Sequence, residues 1–155
     1  MAASPGDAAQ FDRAVRLAVY RHTVAEGVPP TATEIAHDVG ATTAAVENSL
    51  RRLADGHVLV LEPGTTSIWM AAPFSAIPTP FPVTVGERHY FANCIWDALG
   101  IPACLHADAR IDTSCPECAA PLRLEVREGA LEKPGEGVIH FAVPAARWWD
   151  DIGST

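Results

Sequence analysis

The segment "TATEIAHDVGATTAAVENSLRRLADGHVLVL", residues 31–61, contains two short helical patterns followed by a β-rich run. Thr31 or Thr33 is suited to cap the first helix, because a side-chain oxygen at this position can accept a bond from a free backbone N–H. Gly40 is suited to end the helix in a left-handed conformation. The pattern therefore predicts a short capped helix at the start of this segment.

The second helix is predicted over "TTAAVENSLRRLADG", residues 42–56. Thr42 or Thr43 can cap it, and Gly56 closes it. Apolar residues recur on one side at helical spacing, which indicates a face buried against a core. The predicted buried stripe comprises Ala45, Val46, Leu50 and Leu53.

Outside this segment, apolar residues at helical spacing predict an earlier helix from Phe11 to about Ala25. Residues 57–72, "HVLVLEPGTTSIWMAA", read as a β-hairpin around a Pro-Gly turn. A helix, a short helix, a third helix and a hairpin follow one another in this order. That order resembles the winged helix-turn-helix family, and the resemblance implies a fold more than a function.

The third helix would be the recognition helix of such a fold. It carries only Arg51 and Arg52 as cations, Glu47 opposes them, and the hairpin turn "EPGTTS" has no Lys or Arg. The net charge of −8 also opposes duplex binding. We therefore expect a packing module, and nucleic-acid binding is disfavoured. The residues that would face the major groove are Thr42, Thr43, Glu47, Asn48, Arg51 and Arg52.

The predicted fold class is α+β, with the winged helix-turn-helix at residues 10–72 followed by a small mixed α/β domain. Residues 72–83, "APFSAIPTPFPV", hold four prolines and predict an extended linker over 73–83. The second domain is expected at residues 84–155. It should contain a helix from about Arg88 to Leu99, a hairpin over residues 109–129, a strand over 137–144 and a final helix or turn.

Composition places the chain among ordinary globular proteins, with 155 residues, 48% apolar residues and 19% charged residues. No run of 18 apolar residues is present, and the first residues lack the basic start and apolar stretch of a secretion signal. We expect a cytoplasmic protein without a membrane partner. Its four cysteines are then expected to be thiols or metal ligands rather than disulfides.

Cys94 and Asp97 stand three positions apart in a mostly apolar stretch. On a helix they would share one face, with their Cβ atoms about 5–6 Å apart. One interpretation is a reactive thiol beside a carboxylate. The alternative is a buried small side chain beside a capping or salt-bridged carboxylate, and the spacing alone favours this alternative.

The wider context of this pair, "RHYFANCIWDALGIPAC" at residues 88–104, resembles the first catalytic segment of the alkylmercury (organomercurial) lyase family. The resemblance implies that the Cys94 thiolate attacks mercury, that a second thiol deepens the coordination, and that Asp97 carries a proton to the leaving carbon. It also implies no organic cofactor, with mercury as substrate and product ion and a small organometal as partner. The matching residues are Tyr90, Cys94, Asp97, Leu99, Pro102 and Ala103.

The chain departs from the family pattern at the second catalytic cysteine, which is expected just beyond a segment like "ARWWDDIG". No cysteine follows Cys118. Three alternatives follow: the chain is a truncated member of the family, another thiol substitutes, or the lyase activity is absent. The candidates for substitution are Cys104, Cys115 and Cys118.

Cys115 and Cys118 form a Cys-x-x-Cys turn, a spacing that lets two thiolates reach one ion. Zinc or another thiophilic metal is one interpretation, and a plain β-turn carries equal weight because one such motif supplies half a zinc site. A redox dithiol is less favoured, since no βαβ pattern surrounds the motif. Further ligands would have to come from Cys94, Cys104, His89, His106 or His140.

Two other functions stay open. The first is a winged-helix transcriptional regulator that senses a metal or a thiol-reactive compound through Cys115, Cys118 and Cys94. The second is an inactive relative that persists as a metal-binding or dimerisation module, and a homodimer stays open with it. An enzyme needs Asp97 as well as thiols, whereas a sensor needs thiols and a basic DNA-binding face. The weak basic face favours the enzyme.

Overall fold

The computed structural model describes residues 5–133 and 137–152. Within these residues the chain forms four α-helices, one 3-10 helix and eight β-strands. The helices are α1 (Pro5–Glu26), α2 (Ala32–Val39), α3 (Thr43–Asp55) and α4 (Ile95–Leu105), and the 3-10 helix is Ala145–Asp150. The strands are β1 (Val60–Leu61), β2 (Ile68–Ala71), β3 (Phe74–Ser75), β4 (Pro82–Val85), β5 (Arg88–Ala92), β6 (Ala109–Ser114), β7 (Pro121–Arg127) and β8 (Ala130–Leu131).

Helices α2 and α3 begin and end at the predicted residues. Thr31 forms a capping box with Glu34, in which the Thr31 hydroxyl accepts from the Glu34 backbone N–H. Thr42 caps α3 by accepting from the backbone N–H of Ala45. Gly40 ends α2 with a φ of 66°, a left-handed conformation that glycine adopts without a steric penalty. Local sequence therefore determines these two helices.

The first hydrophobic core lies among α1, α2, α3, β1 and β2. The hairpin predicted over residues 57–72 is present as the antiparallel pair β1 and β2. The element order agrees with the predicted one, and the assignment of residues 10–72 as a winged helix stays a prediction. The buried members of this core are Val15, Val19, Ile35, Ala36, Val46, Leu50, Leu53, Leu59, Ile68 and Ala71.

The eight strands form one sheet in the order β1-β2-β3-β5-β4-β6-β7-β8, with every neighbouring pair antiparallel. The fold is thus mixed α/β with an antiparallel sheet. The hairpin predicted over residues 109–129 is β6 and β7. Within the proline-rich segment, β3 joins the sheet, and its Phe74 is buried and pairs with Ala92.

A second core lies between α4 and this sheet. Two hydrogen bonds join α1 to β5 and to the residue that follows β2. The hydroxyl of Tyr90 donates to the backbone oxygen of Val24 at 2.8 Å. The hydroxyl of Tyr20 donates to the backbone oxygen of Ala72 at 3.0 Å. The buried members of the second core are Phe74, Val83, Tyr90, Ala92, Ala98, Ile101, Ala109 and Ile111.

The helix predicted from Arg88 to Leu99 is wrong in its first half. Residues Arg88–Ala92 form β5, which pairs with β4 on one side and β3 on the other. Tyr90 and Ala92 alternate into the core with period two, as expected for a strand. Tertiary pairing overrides the helical pattern here, and α4 begins only at Ile95 and continues to Leu105.

The strand predicted over residues 137–144 is also wrong, because these residues adopt no regular structure. Val138 is 90% exposed, whereas the ring of Phe141 packs on other aromatic rings instead of entering the sheet. The predicted final helix or turn corresponds to the 3-10 helix Ala145–Asp150. Over the described part of the chain, no helix has the length and apolarity needed to cross a membrane.

Candidate functional site

A cavity of about 190 Å³ opens at the N-terminus of α4. Three separate parts of the chain form its walls: the segment that leads into and through the first hairpin, the start of α4, and the segment that includes the 3-10 helix. Most of the lining is apolar, as is usual for small-molecule sites. The lining residues are His57, Val58, Leu59, Val60, Met70, Ala72, Asn93, Cys94, Trp96, Asp97, Phe141, Trp148, Trp149 and Ile152.

Cys94 and Asp97 both line this cavity. Cys94 is the N-cap residue of α4, with extended backbone angles of −150° and 179°, and Asp97 lies in the first helical turn. The two side chains were expected to share a helix face. The structure brings them to one cavity through the strand-to-helix junction between β5 and α4 instead.

The Cys94 thiol is half-buried and is a free cysteine. Burial raises the pKa of this thiol, because the thiolate loses solvation, and the nearby charge of Asp97 acts in the same direction. The backbone N–H groups of Asp97 and Trp96 oppose the increase. The thiol therefore rests in its protonated form to higher pH than an exposed cysteine, and it needs a base to become a nucleophile.

Asp97 is a candidate for that base. Burial raises the pKa of its carboxyl group, and the hydrogen bond from Asn93 acts against this increase. The Asn93 Nδ2 donates to Asp97 Oδ2 at 2.9 Å. At the other end of the amide, the buried Oδ1 of Asn93 finds no hydrogen-bond partner among the described residues. A buried unsatisfied acceptor costs stability, so the amide at this position calls for a reason beyond packing.

Aromatic rings cover the cavity from the C-terminal side. Phe141 packs on Trp148 with ring centroids 5.2 Å apart and meets Trp96 edge-on at 6.1 Å. Trp149 stacks on His57 with centroids 4.2 Å apart and planes within 5°. The stack joins the first hairpin region to the C-terminal segment, so the two close the cavity together.

Several residues of this cavity carry little or no signal in the sequence. Asn93 was readable as the one amide in an apolar run immediately before Cys94, which is a usable signal. His57, Met70 and Phe141 carry no such signal, because nothing local links them to Cys94. Trp148 and Trp149, in the segment "ARWWDDIG", also line the cavity.

The remaining predicted metal ligands lie elsewhere. Cys104 is exposed near the C-terminal end of α4, and Cys115 and Cys118 lie on the turn between β6 and β7. Among the described lining residues, Cys94 is the only cysteine. In residues 5–133 and 137–152, no group of three or more His, Cys, Asp or Glu side chains is placed to hold a metal ion. A zinc site at the Cys-x-x-Cys turn therefore stays a prediction without further ligands in these residues.

Comparisons with known proteins point to one family. The family model described as "MerB: Alkylmercury lyase" matches residues 74–155. A solved structure, the "Crystal structure of the mercury-bound form of MerB2", is similar with a TM-score of 0.62 and 27% sequence identity. The similarity covers 79% of this chain and 58% of that chain, so the present chain spans less than two thirds of that structure. A comparison with curated protein sequences finds no match.

Proposed function

Because this chain belongs to the alkylmercury lyase family, we propose that it captures an organomercurial at Cys94 and splits the carbon–mercury bond by protonolysis, with Asp97 as proton carrier. One observation carries this proposal. Cys94 and Asp97 lie together on the wall of an apolar cavity, and burial raises the pKa of both groups.

The first step joins the Cys94 sulfur to mercury. Mercury is a soft ion and prefers sulfur ligands, following the softness rule for thiophilic metals. The thiol proton passes to the Asp97 carboxylate as the sulfur–mercury bond forms. Since both groups resist the charged form, moving one proton between them leaves only one charge in the cavity at each stage.

The second step returns that proton to carbon. The protonated Asp97 donates to the carbon atom bound to mercury, the carbon–mercury bond breaks, and a hydrocarbon leaves. The sum is a thiol and an organomercurial giving a mercury thiolate and a hydrocarbon, so protons and electrons balance without an oxidant. General acid catalysis of this kind requires the acid within hydrogen-bond reach of the carbon.

A second thiol would strengthen mercury coordination and weaken the bond to carbon. Cys94 is the only cysteine among the described residues of the cavity, so within these residues the mercury ion has one protein thiolate. We propose that a thiol from solution fills this role when the chain acts alone. Activity should therefore depend on the concentration of added small thiol.

We also propose that residues 10–72 form a winged-helix-like unit whose role is to wall the cavity. His57, Val58, Leu59, Val60, Met70 and Ala72 supply one side of it. This role explains why the hairpin faces α4. It accounts for the unit without any nucleic-acid ligand.

The regulator alternative is less well supported by the charges on α3. Arg52 donates to Asp12 on α1, with Nε 2.9 Å from Oδ2. Arg51 donates to Asn48 at 3.0 Å and lies 3.8 Å from Glu47. Both arginines therefore have partners within the protein, and phosphate binding would have to displace them.

The test is to incubate the reduced chain with phenylmercury and excess small thiol, and to measure benzene and bound mercury together. We expect benzene from the wild type and none from Cys94→Ser. The matched control is Cys104→Ser, which removes an exposed thiol outside the cavity and should release benzene at the wild-type rate.

Either of two results would contradict the proposal. Benzene release that survives in Cys94→Ser would place the chemistry at another thiol. Stoichiometric mercury binding without benzene would identify the chain as a binding relative or a sensor, and DNA binding at low salt would then distinguish these two.

A further inference from the structure

The turn between β6 and β7 holds two thiols that the proposed lyase reaction does not use. Cys115 and Cys118 lie outside the cavity lined by Cys94. Two backbone hydrogen bonds close the turn: Cys115 N–H donates to the Ala120 oxygen, and Ala119 N–H donates to the Cys115 oxygen, both at 2.9 Å. Ala119 adopts a left-handed φ of 57°, which brings the chain back sharply toward β7. The backbone of the turn is therefore fixed on both sides.

This turn carries Cys115 and Cys118 three positions apart on one short loop that backbone hydrogen bonds close. Both cysteines are free. The backbone N–H groups of Cys118 and Glu117, and then a side-chain hydrogen bond with Cys118, lower the pKa of the Cys115 thiol. Such N–H groups stabilise a sulfur that carries negative charge, as it does when it binds a metal.

The number of available ligands limits which metal fits. Zinc in structural sites takes four ligands in a tetrahedron. Within residues 5–133 and 137–152, no third His, Cys, Asp or Glu joins this pair. Two thiolates without further ligands suit a soft metal ion that binds with two sulfur ligands.

We propose that Cys115 and Cys118 form a surface chelate site for a soft metal ion bound by two thiolates, with the mercuric ion as the probe. Each thiol releases its proton as its sulfur–metal bond forms, so one bound ion displaces two protons and no electrons move. The site is separate from the cavity, and its occupancy does not depend on any lyase activity.

Competition with a monothiol provides the test, because two linked thiols hold an ion much more tightly than two unlinked ones. The reduced full chain is mixed with mercuric ion and excess glutathione, desalted, and analysed for mercury per chain. We expect about one retained ion in the wild type, and retention weaker by about 10²-fold in Cys115→Ser and in Cys118→Ser.

Cys104→Ser is the matched control and should keep the ion, whereas Cys94→Ser tests whether the retained ion lies in the cavity instead. X-ray absorption at the mercury edge should show two sulfur neighbours in the wild type. Retention that is lost in Cys94→Ser but kept in Cys115→Ser would overturn the proposal. A dimer that holds zinc as tightly as mercury would also overturn the proposal, because the zinc ion would then be bound by four thiolates, two from each copy.

Discussion

At the scale of single residues, burial raises the pKa of Asp97, and a hydrogen bond from Asn93 partly offsets this increase. The Asn93 amide donates to the Asp97 carboxylate, which lowers the pKa of that group, whereas burial raises it. The net effect is a carboxyl group whose pKa is raised, as the proposed proton transfer from Cys94 requires. A fully solvated aspartate would be a weaker acid catalyst at neutral pH.

Asp97→Asn should abolish benzene release and leave mercury binding largely intact. The amide has nearly the same shape but cannot carry a proton from sulfur to carbon. The measurement pairs benzene by gas chromatography with protein-bound mercury. Asp55→Asn, at an exposed position on α3, serves as control and should keep full turnover. Equal turnover in the Asp97 variant would remove the proton-carrier role.

Asn93→Leu should shift the acid side of the activity profile to higher pH. The hydrogen bond from Asn93 lowers the pKa of Asp97, so removing it raises that pKa further. Because Asp97 must be ionised to accept the thiol proton, activity should then begin at a higher pH. The carboxyl titration, followed by ¹³C NMR, should move in the same direction. Asn48→Leu, which affects an exposed amide on α3, should change neither measurement. A titration that stays in place would show that Asn93 only fills space.

At the scale of elements, α1 and α3 are joined by a polar cluster at Asp12. Its carboxylate accepts from Ser49 Oγ at 2.6 Å and from Arg52 Nε at 2.9 Å. Ser49 is fully buried, so its hydroxyl depends on this partner. The hydrogen bond from Arg52 lowers the pKa of Asp12, and Ser49 contributes in the same direction.

Asp12→Ala should lower the free energy of unfolding by about 1–3 kcal/mol, because it leaves a buried hydroxyl unsatisfied. Urea unfolding by circular dichroism measures this. Glu47→Ala, which breaks the exposed pair with Arg51, should cost no more than about 1 kcal/mol.

The contribution of Asp12 to stability should depend on pH, and the direction follows from its lowered pKa. Since the folded pKa of Asp12 lies below its unfolded value, its contribution is present above the unfolded pKa of about 3.9 and is lost as pH falls through the folded pKa. The Asp12→Ala variant should lack this part of the acid-side loss of stability. Equal losses in both proteins between pH 5 and 2 would contradict the assignment.

Helices α2 and α3 and strand β5 show which structural features the local sequence can predict. Caps and glycines gave the correct boundaries for α2 and α3, since those signals lie within a few residues of the helix ends. The stretch Arg88–Ala92 was misread because its strand character comes from β3 and β4, which are paired on either side of it. A strand that is stabilised by partners elsewhere in the chain leaves a weak local trace.

At the scale of the whole molecule, the cavity is assembled from segments that are far apart in sequence. The shared position of Cys94 and Asp97 on the cavity wall could be expected from the sequence, because the two residues lie three positions apart in one stretch. The opposite walls could not be expected in this way, since the contact of His57 with Trp149 joins residues separated by most of the chain. No periodicity or motif records that contact. The sequence thus indicates the candidate pair, and the folded chain encloses both residues in a mostly apolar cavity.

The aromatic rings around the cavity should limit how fast reagents reach Cys94. Trp149 stacks on His57 across the cavity, so Trp149→Ala should open this side and leave α4 unchanged. The rate at which a neutral thiol reagent modifies Cys94 should rise several-fold, because access and not only thiolate fraction limits the reaction. The measurement uses a background in which Cys104, Cys115 and Cys118 are serine, so that only Cys94 reacts.

Val138→Ala in the same background is the matched control, because Val138 is 90% exposed and does not line the cavity. Its modification rate should equal that of the parent. An unchanged rate in the Trp149 variant would mean that the aromatic wall does not restrict entry. An increase accompanied by a lower melting temperature in the Trp149 variant alone would instead indicate that the stack holds the C-terminal segment on the fold. Following modification below the melting transition of both variants separates these two effects, since only a change in access alters the rate while the protein stays folded.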